Sequence, residues 1–185
     1  MLPVTAHTFI SAPREEIFDF VADLANRTAW TDHYTSELRL ENPKSVGVGA
    51  AARYRLDAPR YRSWTETEIV EADRPRRLVE VTRGGRGGKT RGEVTIELIR
   101  QGQGLTKVEM TIASEPGTPR EALMARLGAR PWLKRQARKA LERLRTIFEG
   151  RPDGPFERTT VAGWETQKAP RFGLHVGGEP GEASG

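Results

Sequence analysis

The chain has 185 residues, of which 30 are Lys or Arg and 25 are Asp or Glu, giving a formal charge of +5 with 36% hydrophobic content. That length predicts one domain able to bury a core of its own. The lack of cysteine excludes a disulfide framework, a thiolate nucleophile and Cys-ligated zinc, and no apolar run approaches the ~20 residues of a membrane span, so the chain reads as soluble and cytoplasmic.

Residues 4–11 alternate as a first strand, with Thr8 and Ile10 on one face and His7 and Phe9 on the other. Ala12-Pro13 then opens a helix, because Pro is pre-set for a first turn, and Ile17, Phe18, Val21 and Leu24 form its apolar face. The run from Asn26 to Ala29 breaks this pattern ahead of Trp30 and predicts a turn or a short second helix. Further strands are predicted at 36–40, 50–57, 60–72, 77–83, 90–100 and 105–114, with turn signals at Ala58-Pro59, Asp73-Arg74-Pro75, Gly84 to Gly88 and Gly102 to Gly104. Each strand has one polar and one apolar face, which is the pattern of an antiparallel sheet with one side wet.

A long terminal helix is predicted over 118–150. Thr118-Pro119-Arg120-Glu121 forms a capping box, Gly150 suits a left-handed cap, and Pro152 forbids continuation. Leu133, Ala137, Ala140, Leu141, Leu144, Ile147 and Phe148 recur at spacings of three and four and make one apolar stripe. Pro131, with Gly128 in the same turn, predicts a kink, and the segment before it, carrying Leu123, Met124 and Leu127, is then free to form a wall or lid. From 151 to 185 Gly, Pro and charge dominate, predicting a disordered tail behind a domain of residues 1–150.

Gly84 to Thr90 resembles a phosphate loop but is one residue short and lies between strands, so it reads as a hairpin loop. No His or carboxylate pair has the helical spacing of metal ligands, and no metal or cofactor is expected. His33, beside Asp32, is the one histidine placed for acid–base work; Tyr54 and Tyr61 are the other catalytic candidates, as groups that polarise a carbonyl. If Ile69, Val94 and Met110 point inward, so do Tyr54, Tyr61, Ser63, Thr65, Thr67, Thr8 and Ile10, with Glu71 and Glu80 as possible charged exceptions. This surface suits an apolar ligand bearing a few oxygens; alternatively its hydroxyls bond to backbone in a filled core. Over 120–151 there are ten basic residues to three acidic. They form either a solvated face or a patch for RNA phosphates or anionic lipid. Trp64, on the outer face, leaves monomer and homodimer both open.

The order strand, helix, six strands, long terminal helix resembles the helix-grip fold. The stretches Ile10-Ser11-Ala12-Pro13-Arg14-Glu15-Glu16-Ile17-Phe18, Val46-Gly47-Val48-Gly49-Ala50, Ile69-Val70-Glu71-Ala72-Asp73-Arg74-Pro75-Arg76-Arg77-Leu78 and Leu141-Glu142-Arg143-Leu144, together with Trp30, resemble the polyketide cyclase/dehydrase and lipid-transport group of the START-like (SRPBCC) superfamily over about residues 3–149. The resemblance implies an α+β domain in which a curved antiparallel sheet of about seven strands wraps a C-terminal helix. It also implies a cavity for a small hydrophobic molecule (a lipid, polyketide or isoprenoid) in a bacterial, cytoplasmic protein. The ligand-contacting residues expected on that basis are Trp30, Tyr54, Tyr61, Thr65, Thr67, Met110, Leu123 and Leu127. The alternatives are a cyclase or dehydratase acting on a polyketide-like substrate, and a ribosome- or membrane-associated module using the basic helix.

Overall fold

The computed structural model describes residues 3–59, 61–85, 88–117 and 129–150. Strand β1 (Val4–Ile10) leads through Pro13 into helix α1 (Arg14–Val21), a single 3-10 turn (Leu24–Asn26) and helix α2 (Arg27–Thr31). Strands β2 (Thr35–Leu40), β3 (Ala51–Ala58), β4 (Tyr61–Asp73), β5 (Arg77–Gly84), β6 (Thr90–Gly102) and β7 (Leu105–Glu115) follow, and helix α3 (Arg130–Glu149) comes last. The seven strands form one sheet in the order β1-β7-β6-β5-β4-β3-β2, with every neighbouring pair antiparallel. Consecutive hairpins build the run from β2 to β7, and β1 closes it by pairing with β7, Val4 facing Ile112 and Ile10 facing Thr106. This is the α+β helix-grip architecture: a curled sheet with one long helix laid across it.

Two irregularities re-aim side chains. In β4 the register slips between Ile69 and Glu71. An extra residue in one strand reverses the alternation beyond it. Ile69 is therefore fully buried while Glu71 turns outward, 3.0 Å from Arg77, and Ala72 takes the inward place opposite Leu78. Glu71 does not line the interior. In β2, Glu37 takes φ 54° at a second slip, and Leu38 beyond it is buried.

The core lies between the sheet and α3. Ala137, Ala140, Leu141, Leu144 and Phe148 are the buried stripe of that helix. The two alanines let its axis approach closely, while Phe148 meets Phe20 of α1 edge to face at 5.6 Å. Opposite them Ile10, Ile69, Leu78, Ile96, Val108 and Met110 are 0–1% exposed. Two ties fix the helix end: Glu149 accepts from the Ser11 amide at 3.3 Å, and Arg145 donates to Glu149 at 2.6 Å.

The last helix differs from expectation at its C-terminal end. Its described part begins at Arg130, with Pro131 in the first turn, where no intrahelical N–H is needed. The capping box at Thr118, the lid residues Leu123, Met124 and Leu127, and the tail from 151 lie outside the described residues. Gly150 is not left-handed: at φ −82° and ψ 8° it continues the helical turn, its amide bonding to the Thr146 carbonyl.

Candidate functional site

The inner face of the sheet is unevenly filled. At the end nearest α1, Ile69, Leu78, Ile96 and Met110 are sealed. Toward the other end of the same face, Tyr54, Leu56, Ser63, Thr82, Val94 and Ile112 point the same way along their strands yet are only half-buried. Pairing shows why they share a face: Tyr54 lies opposite Thr65, Leu56 opposite Ser63, and Val94 opposite both Ile112 and Glu80.

Between these two zones sits a polar cluster. Arg27, from α2, is buried and pairs through Nη2 with Glu80 Oε1; the two side chains are 8% and 2% exposed. The second Glu80 oxygen accepts from Thr67 Oγ1 at 3.1 Å. The Trp30 ring, 0% exposed, lies under the guanidinium with 5.0 Å to its centroid. Two donors in this cluster have no partner: Arg27 Nε and Trp30 Nε1. An unpartnered buried donor costs about 1–3 kcal/mol, so such atoms need a reason to be there. Thr31 and Thr35, by contrast, are satisfied by each other and by backbone carbonyls, at 2.8–3.0 Å.

Tyr34 and Tyr54 complete the wall. Burial pushes the Tyr34 phenol up to about 12 and the Tyr54 phenol higher still; Arg27 opposes the rise and Glu80 adds to it for both rings. Both tyrosines therefore stay protonated and can donate. Both are partly buried and pack against the core.

The expected ligand-contacting residues divide as follows. Tyr54, Thr65 and Thr67 share the inner face, and Thr65 and Thr67 are 8% and 3% exposed. Trp30 lies beneath Arg27, and Met110 is sealed in the core at 1% exposure. The Tyr61 side chain, Leu123 and Leu127 lie outside the described residues. His33 sits between α2 and α3, its side chain 3% exposed, its Nε2 meeting the Gln136 carbonyl at 3.3 Å and its Nδ1 3.9 Å from Asp32. Arg27 and Tyr34 were not anticipated. Glu80 was, as one of two possible charged residues on the inner face; nothing local says that Arg27 pairs with it.

Burial pushes the His33 imidazole below its ordinary value of 6.5, Lys139 adds to the effect, and the Gln136 bond opposes it. The unfolded chain thus takes up this proton more readily than the folded one. Stability falls as pH drops below about 6.5, and a His33→Asn variant, melted across that range, shows a flatter pH dependence.

The outer face and α3 carry the basic surplus. Arg53 stacks on Trp64 at 4.7 Å, and with Arg62 and Arg83 they border a shallow cleft of about 500 Å³. Arg55 pairs with Glu37 and Asp57, and Arg62 with Asp57. On α3, Arg143 pairs with Asp32 and Arg145 with Glu149. Among the described residues there is no cluster of three potential metal ligands, and no helix is long and apolar enough to cross a membrane.

The family described as polyketide cyclase / dehydrase and lipid transport matches residues 1–149. No curated protein matches the chain. Among solved structures, the Thermus thermophilus protein TTHA0849 is 18% identical, with a TM-score of 0.62 over 80% of this chain and 97% of its own. A START superfamily protein from Mycobacterium smegmatis is 15% identical, with a TM-score of 0.55 over 80% of this chain and 94% of its own. The major latex-like protein 151 of Panax ginseng is 11% identical, with a TM-score of 0.60 over 80% and 97%. At these identities the likeness is one of fold.

Proposed function

The chain belongs to the polyketide cyclase/dehydrase and lipid-transport family, and from that premise we propose that it holds a small hydrophobic molecule between the inner face of the sheet and α3. The observation that carries this reading is that Tyr54, Leu56, Val94 and Ile112 share one side of the sheet and are only partly buried, whereas Ile69, Leu78 and Met110 on the same side are sealed. Apolar surface removed from water there stabilises a complex by about 25 cal/mol per Å². Thr65 and Tyr54 supply the few polar groups that fix orientation in such sites.

Native mass spectrometry of gently purified protein tests it. The expected result is a reproducible added mass that is lost on denaturation and extracts into organic solvent. Val94→Trp, which puts an indole into the half-filled end, lowers the occupied fraction several-fold, whereas Trp64→Ala on the outer face leaves it unchanged. A clean apo mass, together with no uptake of a neutral fluorescent dye such as phenylnaphthylamine, overturns the reading.

A further inference from the structure

We propose that the Arg27–Glu80 pair is a polar anchor selecting hydrophobic ligands that carry a neutral hydrogen-bond acceptor, such as a ketone, ester or amide carbonyl, over ligands that carry a carboxylate. The inference rests on the reading of the grip as a ligand site and adds the ligand's chemistry.

A guanidinium offers five N–H donors. Glu80 engages Arg27 through Nη2, and Nε, also buried, has no partner; neither has the Nε1 of Trp30, the ring stacked on the same guanidinium. Donors therefore remain open in the cluster while each Glu80 oxygen is already engaged, one by Arg27 and the other by Thr67. What Arg27 Nε and Trp30 Nε1 lack is an acceptor. Charge decides which kind. The positive charge of Arg27 is already balanced by Glu80, and both tyrosines nearby are neutral, so a carboxylate would enter as an uncompensated anion in a desolvated place. A carbonyl oxygen accepts the same hydrogen bonds without that cost. Nothing in this role requires bond making; the pair orients and selects.

The test uses the full chain and three naphthalenes of similar size at neutral pH: acetylnaphthalene, isopropylnaphthalene and naphthoate, which is ionised there. Affinities are read by titration calorimetry. The ketone is expected to bind roughly tenfold tighter than the hydrocarbon and tighter than naphthoate. In the double variant Arg27→Met/Glu80→Met, which removes both charges together, the ratio of ketone to hydrocarbon affinity falls toward one. Circular dichroism and a melting curve check that the variant is folded, and the wild-type ratio alone decides the matter if it is not. If the hydrocarbon binds as well as the ketone, the anchor is overturned and the hydrophobic site stands. Preference for naphthoate overturns the neutral class. Binding of none of the three, with phenylnaphthylamine also excluded, overturns the site and the anchor together.

Discussion

Glu80→Ala lowers the unfolding free energy by about 3–5 kcal/mol, because it leaves the Arg27 guanidinium buried with no counter-charge. For a chain of this size the loss reads as a fall of roughly 10 °C in melting temperature. The origin is desolvation rather than a lost attraction. Arg27 and Glu80 are 8% and 2% exposed, so neither has water to fall back on when its partner goes. Thr67 also loses its acceptor in this variant. The double replacement Arg27→Met/Glu80→Leu restores most of the loss, since a buried ion pair exchanged whole for apolar groups of similar volume is near neutral. Urea or thermal melts of the single and double variants check both numbers. A single variant within about 1 kcal/mol of wild type would mean that water reaches the guanidinium and that the cluster is not dry.

Leu144→Ala costs about 3 kcal/mol, within the range for a leucine deleted from a packed core. Leu144 is fully buried on α3, where the helix stripe meets the sheet. The next residue is the control. Arg145 is 55% exposed at its side chain and bonds Glu149 one turn on, so Arg145→Ala changes stability by no more than about 0.5 kcal/mol. Equal effects at the two positions would contradict the docking of α3 on the sheet. Together the two predictions separate what holds the grip closed, which is apolar packing along one helix face, from what gives its interior a polar centre.

Much of the fold was legible because its signals are local. Alternation along Thr65, Thr67 and Ile69 placed those residues on one face, and a strand with one buried side cannot shift by a single residue without inverting that face. The threefold and fourfold spacing from Leu133 to Phe148 likewise marked the packed side of α3. The errors came where a local rule was reversed by context. Glu71 continues the inward alternation in sequence and turns outward in the fold, because the slip after Ile69 inserts one residue into the strand. Gly150 is the residue type that favours a left-handed cap, yet it stays in the helical turn, held by the Thr146 carbonyl.

The candidate site was only half legible. Tyr54, Thr65 and Thr67 followed from strand periodicity, and Glu80 stood out as an acid on an inward position. Arg27 did not, since it lies fifty-three residues from Glu80 on a five-residue helix with no pattern of its own. Tyr34 was missed for the same reason, just before β2, where no periodicity marks a face.

By itself, the sequence determined the order and type of the elements, the inward face of each regular strand and the helix stripe that covers them, because backbone periodicity and the cost of exposing apolar surface act over a few residues. Only the tertiary structure decided that a cation from α2 and an acid from β5 meet in the interior with donors to spare. That meeting depends on how far the sheet curls, and the curl is a sum over seven strands that no short stretch of sequence encodes.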